Sequence, residues 1–299
     1  MMPSKKLTLT RFQSDLILLF TAFVWGSGFI AQRVAAPSLS IFLFNGGRFL
    51  LGAILLFPII RFKLNIPKKE LFKVFAAGFL LFLAGAFQQA GMKTTTAGNA
   101  GFITGLYVVI VPIFLFLFWR QKQPWIIWIS AILAVLGMLL LSTGGKIRLV
   151  QGDLLEFIGA LLWALHVIVV GLAVKNLHPL HFAIGQFLFC SFLNILTGLI
   201  IEPSSIVMIG ELWWTIIYNG IASVAIGFTL QGIGQKNAPA TDAALILSME
   251  AVFAAILGFL FLQERFTQIQ FIGCFLVLIA IVLSQLPVEK IFSRLKKQL

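Results

Sequence analysis

Residues 240–262 read ATDAALILSMEAVFAAILGFLFL, an almost unbroken apolar run long enough, at about twenty residues, to cross a bilayer as a helix. Such a run leaves few folds open. In hydrocarbon every backbone N–H and C=O must be paired, either within its own helix or in a closed barrel. Similar runs recur along the chain, and none alternates apolar and polar residues at period two, which excludes a barrel and leaves a helical bundle. Composition agrees: 60% of the 299 residues are apolar and 11% are charged. That is too little polar surface to cover a water-soluble domain of this size. The 31 Phe against two Tyr suit lipid-facing helices, because a phenyl ring carries no hydroxyl to satisfy.

Ten spans are predicted, near residues 15–34, 40–60, 71–91, 97–118, 125–143, 153–174, 180–201, 211–233, 240–262 and 268–287. The net charge of +12 does not point to nucleic acid, because the basic residues sit between apolar runs rather than along one face. With the N-terminus in the cytoplasm, 16 Lys and Arg fall on inner segments and five on outer ones, with Arg48 inside a span. The positive-inside rule therefore predicts both termini in the cytoplasm. The first apolar run follows Lys5 and Lys6 as a signal peptide would, but it has a partner later in the chain and is read as a span. Cys190 and Cys274 fall mid-span and read as small buried side chains.

The chain is also duplicated. Gly91 and Lys93 answer Gly234 and Lys236, and Asn99-Ala100 answers Asp242-Ala243, at an offset of 143. Asp15 and Trp25 answer Asp153 and Trp163 at an offset of 138, which maps Arg48 onto Gln186. Each copy holds five spans, an odd number, so the second copy must enter the bilayer from the opposite face. The predicted fold is therefore an all-α integral membrane protein of ten transmembrane helices in two inverted five-helix repeats, residues 14–143 and 152–287. Basic cytoplasmic tails, residues 1–13 and 288–299, flank them. Inverted repeats place a shared site near the midplane, and two related conformations open it to opposite faces.

The ten spans, Trp25-Gly26-Ser27, Arg48-Phe49 and the run from Ser248 to Phe253 that leads on to Leu262-Gln263-Glu264 resemble the drug/metabolite transporter superfamily, in its EamA type with two EamA repeats. The likeness covers residues 14–287. It implies export or exchange of small metabolites, often amino acids, through a cavity between the repeats. The first repeat departs from the pattern: Gln121 stands where the second has Glu264, and Tyr107 and Pro112 stand where the second has Glu250 and Ala255.

Polar residues at depth are the candidate site, since they are costly in hydrocarbon and ask for a reason. Glu250 could bind a substrate amine or carry a proton, or be a carboxyl hydrogen-bonded between helices. Arg48 reads as structural or gating, with a substrate carboxylate as its other use. Trp25 and Trp163 could form paired aromatic cavity walls. His166 shares a helix face with Trp163 and Glu156 and is a second possible proton-coupling residue, or only a helix–helix hydrogen bond. Gln88, Asn99, Thr104, Tyr107 and Gln231 complete the expected cavity; Asn99 and Asp242 also fit as N-caps.

No metal-ligand cluster and no nucleophile–base pair occurs at usable spacing, so neither cofactor nor metal nor catalysis is expected. The expected partners are a small-molecule substrate and the lipid bilayer, without nucleic acid and with a monomer as the expected state. The predicted function is a secondary active transporter, with proton coupling as one option, exporting or exchanging a small organic, amino-acid-like metabolite across the plasma membrane. Nucleotide-sugar, organophosphate or drug export on the same fold, and a passive channel, are the alternatives.

Overall fold

The computed structural model describes residues 9–143, 150–202, 210, 212–262 and 267–285. Most of both basic tails, Glu264, and the loop residues Lys146, Arg148 and Arg265 lie outside the described residues. Among the described residues no strand occurs. Eight helical segments are long and apolar enough to cross a membrane. They are α1 (Arg11–Ala35), α2 (Ile41–Ile60), α3 (Lys68–Gly91), α4 (Ala97–Trp119), α6 (Gln151–Ala173), α7 (Pro179–Ile201), α8 (Trp213–Gln235) and α9 (Ala240–Phe261). Two shorter apolar helices, α5 (Trp125–Leu141) and α10 (Gln268–Ser284), complete the bundle. The chain is a multi-pass membrane protein. Its outward faces carry exposed Phe72, Phe118, Phe261 and Phe275, which suit hydrocarbon rather than water.

Short polar residues start the helices, because the first N–H groups of a helix need acceptors. Thr10 and Gln13 form a capping box on α1, with Gln13 N donating to Thr10 Oγ1 at 3.2 Å and Thr10 N to Gln13 Oε1 at 2.9 Å. Ser40 caps α2 and Thr96 caps α4, accepting from Leu43 N at 3.0 Å and Asn99 N at 3.1 Å. Thr96 therefore takes the capping role that the sequence suggested for Asn99, and Pro239 occupies the N-cap position suggested for Asp242. Arg61 and Arg120, both with left-handed φ, end α2 and α4.

Three spans depart from a regular α-helix in their interior. In α4 the helix breaks after Gly105 and resumes at Tyr107; in α9 it breaks after Leu247 and resumes at Met249. The interrupting residues, Leu106 and Ser248, are 142 positions apart, one residue off the 143 offset of the sequence repeat. Pro112 weakens the helix in α4, but α9 has no proline and breaks within one residue of the matching place, with Ser248 Oγ donating to Leu245 O at 2.7 Å. In α8, residues Asn219–Phe228 form a π-helix, a wider winding often found at functional positions.

The packing has a regular pattern. Helix α3 lies on α6 and α7, while α8 lies on α1 and α2; α4 lies on α6 as α9 lies on α1. Between the two halves, α2 faces α7 and α5 faces α10. The last pair meets at two glycines. A Cβ on Gly137 would sit 2.7 Å from Gly273 O, and one on Gly273 would sit 2.5 Å from Gly137 O. Helices come this close in membranes only where small residues line the seam.

Candidate functional site

The helix breaks and the π-helix border a cavity between the helices, about 470 Å³ of empty space when its open mouth is counted in. Its walls come from α1, α2, α3, α4, α6, α8 and α9. Seven of the residues singled out in the sequence line it: Trp25, Gln88, Thr104, Tyr107, Trp163, Gln231 and Glu250. Arg48 lines it too, although the sequence suggested a structural or gating role.

Glu250 begins the second half of broken α9 and is 3% exposed. The Tyr107 hydroxyl, at the start of the second half of α4, donates to Glu250 Oε1 at 2.9 Å. The carboxyl is therefore oriented by a neutral donor, and no cation pairs with it among the described residues. Close packing beside it is enforced at Gly26, where a Cβ would meet Phe253 Cβ at 2.6 Å and Glu250 O at 2.8 Å.

Arg48 is 2% exposed on α2. Its guanidinium carbon lies 5.3 Å from the Phe44 ring centre and 5.1 Å from that of Phe49, a cation–π setting. Its Nε has no hydrogen-bond partner, and it makes no ion pair among the described residues. A buried guanidinium without a carboxylate is costly unless an anion comes to it. Both amide atoms of Gln231 and the Trp163 Nε1 are likewise buried and unpartnered. Such groups around one cavity suit polar contacts made by a solute or by water.

The aromatic wall has Phe228 at its centre, on the last turn of the π-helix. Trp25 lies 4.7 Å from it and Trp163 5.8 Å, the latter stacked at 19°. Trp25 Nε1 donates to Ser223 O at 3.1 Å, inside the π-helix. The two Trp that the repeat makes equivalent thus bracket one Phe. Phe228 carries no sequence signal, being one of 31 Phe without a polar atom or motif. Phe29, Gln32, Val167 and Ser223 also line the cavity and were not anticipated.

Two expected cavity residues lie elsewhere. His166 is fully buried behind the wall, its ring edge-on to Phe228 at 5.7 Å and its Nε2 3.0 Å from Gln186 Oε1. Asn99 sits at the start of α4, where its Nδ2 donates to Asp153 Oδ1 at 2.8 Å; Thr95 Oγ1 donates to the same oxygen at 2.7 Å. At the other end of the bundle, Arg11 ties α1 to α9, reaching Asp15 at 2.9 Å and Asp242 at 2.7 Å. These two clusters occupy repeat-related positions, since Asp15 answers Asp153 and Asp242 answers Asn99. Among the described residues no group of His, Cys, Asp and Glu could hold a metal ion.

Comparison with known proteins places these features in context. The EamA-like transporter family matches residues 13–143 and, a second time, residues 150–286. An "Uncharacterized transporter" of Archaeoglobus fulgidus is 29% identical over 282 residues, which cover 93% of this chain and 87% of that protein. "Uncharacterized transporter YoaV" of Bacillus subtilis is 22% identical over 93% of this chain and 97% of its own length. "Threonine/homoserine exporter RhtA" of Escherichia coli is 29% identical over 188 residues, 60% of each chain. A crystal structure superposes with a TM-score of 0.78 over 94% of this chain and 99% of that one; at 19% identity, the likeness is one of fold.

Proposed function

The chain belongs to the EamA-like transporter family, and on that premise we propose that it is a secondary carrier for a zwitterionic, amino-acid-like metabolite, working by export or exchange across the plasma membrane. One observation carries the reading: Arg48 and Glu250 line the same cavity, and neither pairs with an opposite charge among the described residues. An α-amino acid has the complementary ends. Its carboxylate can take the bidentate fork of Arg48, and its ammonium can lie against Glu250 and the faces of Trp25 and Trp163. The name of the RhtA relative, an exporter of threonine and homoserine, supports the same class.

Alternating access follows from two five-helix repeats threaded oppositely through the bilayer, with all ten apolar helices spanning it and both termini cytoplasmic. Support comes from packing that repeats when each helix is exchanged for the one five places on, and from breaks in α4 and α9 that fall within one residue of repeat-matched positions. A nucleotide-sugar or organophosphate would call for several cations in the cavity, and Arg48 is the one basic side chain among its lining residues.

The test is counterflow. Purified protein in liposomes preloaded with unlabelled L-threonine is expected to take up labelled L-threonine or L-homoserine transiently above equilibrium, with saturation. A channel gives no overshoot. Absence of counterflow across a panel of zwitterionic amino acids contradicts the reading.

A further inference from the structure

Glu156 takes no part in the cavity described above, yet it is fully buried on α6. Its Oε2 is 3.4 Å from Thr104 Oγ1, a loose contact, and its Oε1 has no hydrogen-bond partner. Thr104 lines the cavity, where Gln88 Nε2 also approaches its hydroxyl at 3.4 Å. One turn before Glu156, Asp153 accepts from Val150 N at 2.9 Å as well as from Thr95 and Asn99. A file of polar groups thus runs from the start of α6 through Asp153 and Glu156 to Thr104 and the cavity. On the orientation predicted by the basic residues, this file begins at the outer face.

We propose that Glu156 is the proton-carrying carboxyl of this transporter, loaded from the Asp153 end of α6 and sensed in the cavity through Thr104. The proposal rests on the carrier reading given above and adds the site of its coupling ion. A charged carboxylate at Glu156 is an uncompensated buried charge, and a proton on it removes that charge.

Among the described residues, the titratable groups on elements facing α6 do not supply a counter-charge. Glu70 and Lys73 pair with each other at the far end of α3, Tyr107 and Glu250 bond each other, and Asp242 pairs with Arg11 at the other end of the bundle. Lys93, after α3, is exposed; Arg33 donates to Met92 O at 2.6 Å; and His166 and Lys175 lie farther along α6 or beyond its end.

The hydroxyl of Thr104 converts the proton into a signal. When Glu156 is charged, Thr104 donates to it and offers only acceptor lone pairs to the cavity. When Glu156 is protonated, its O–H donates to Thr104 Oγ, and the Thr104 proton turns toward the cavity. One cavity group therefore changes from acceptor to donor with each proton bound. The proton enters from water at the Asp153 end and leaves to cavity water, with Thr104 accepting one proton as it passes on its own, so no charge is created or lost.

The experiment uses two readouts on the full chain, with Glu156→Gln, Glu156→Asp and Glu250→Gln. Infrared difference spectra across a pH cycle, without substrate, follow the carbonyl stretch of protonated carboxylic acids. One component of that band is expected in the native chain and in Glu250→Gln, shifted in Glu156→Asp and missing from Glu156→Gln, while the other carboxyls keep their own components. In liposomes, Glu156→Gln is expected to keep labelled threonine counterflow at equal pH. It is expected to lose accumulation driven by a one-unit pH gradient, about tenfold for one proton per substrate.

An unchanged infrared band in Glu156→Gln, or gradient-driven accumulation equal to that of the native chain, overturns the proposal. Counterflow absent from the native chain would remove the carrier reading instead, while the infrared arm still decides whether Glu156 takes the proton.

Discussion

Tyr107 and Glu250 are equivalent residues of the two repeats, 143 positions apart, and the Tyr107 hydroxyl donates to the Glu250 carboxyl at 2.9 Å. Residues related by a two-fold axis touch each other only where they lie close to it. Their contact beside the cavity supports the inverted-repeat reading, in which a pseudo-two-fold axis lies in the membrane plane. The two mates have also diverged chemically, one a neutral donor and the other an acid. Two repeat-matched positions beside one cavity thereby carry different chemistry.

Tyr107→Phe removes the donor that orients Glu250 without changing ring volume. A hydrogen bond to a charged group contributes about 1.5–3 kcal/mol, so affinity for an amine-bearing substrate is expected to fall roughly tenfold or more. Equilibrium binding of labelled threonine in detergent measures this; an unchanged Kd would show that Glu250 needs no such support.

Arg48→Gln is expected to weaken binding by about 3 kcal/mol, roughly two orders of magnitude in Kd. Arg48→Lys should recover little, because an ammonium lacks the planar fork that grips a carboxylate. A substrate analogue without its carboxylate should bind the native chain and Arg48→Gln alike. If the analogue still discriminates between them, Arg48 does not contact that group.

Asp242→Asn breaks the Arg11 tie between α1 and α9. Half-exposed ion pairs contribute only about 0.2–1 kcal/mol, so opening at that end should rise about 1.4- to fivefold rather than completely. The alkylation rate of a cysteine placed at Gly171, which lines a cavity beside the start of α9, reads the change. A rate equal to that of the parent would mean that the tie does not hold the gate.

Gly273→Ala places a Cβ 2.5 Å from Gly137 O at the seam of α5 and α10. Overpacking of this kind costs about 1–3 kcal/mol, and the apparent Tm should drop by a few degrees. Thermal unfolding followed in detergent checks it. Gly98→Ala, where a Cβ meets no neighbour within 4 Å, is the control expected to leave Tm unchanged.

The apolar runs and the repeat offset made most of the bundle legible, because span length and duplication are written one residue after another. The depth of Glu250, Tyr107, Trp25 and Trp163 could be read in the same way. Side-chain direction was harder. Asn99 lies one turn into α4 and turns to Asp153, while His166, three residues past Trp163, turns to Gln186 behind the wall. Helical spacing alone does not distinguish a cavity face from a neighbouring helix–helix face. Phe228 and Ser223 were invisible because the π-helix changes the register of α8, and no residue in that stretch announces it. That Arg48 reaches the cavity without an ion pair among the described residues is a property of the packed bundle, which its place in the sequence does not announce.

Inverted duplication is the claim on which the carrier mechanism stands, and sidedness tests it most directly. Lys93 and Lys236 are repeat mates, both exposed in short connections after α3 and α8. In a chain with Cys190 and Cys274 replaced by serine, Lys93→Cys and Lys236→Cys can be labelled separately with an impermeant maleimide in right-side-out and inverted vesicles. The account predicts that Lys93→Cys reacts only from outside and Lys236→Cys only from the cytoplasmic side. Reaction of both from the same side would contradict it.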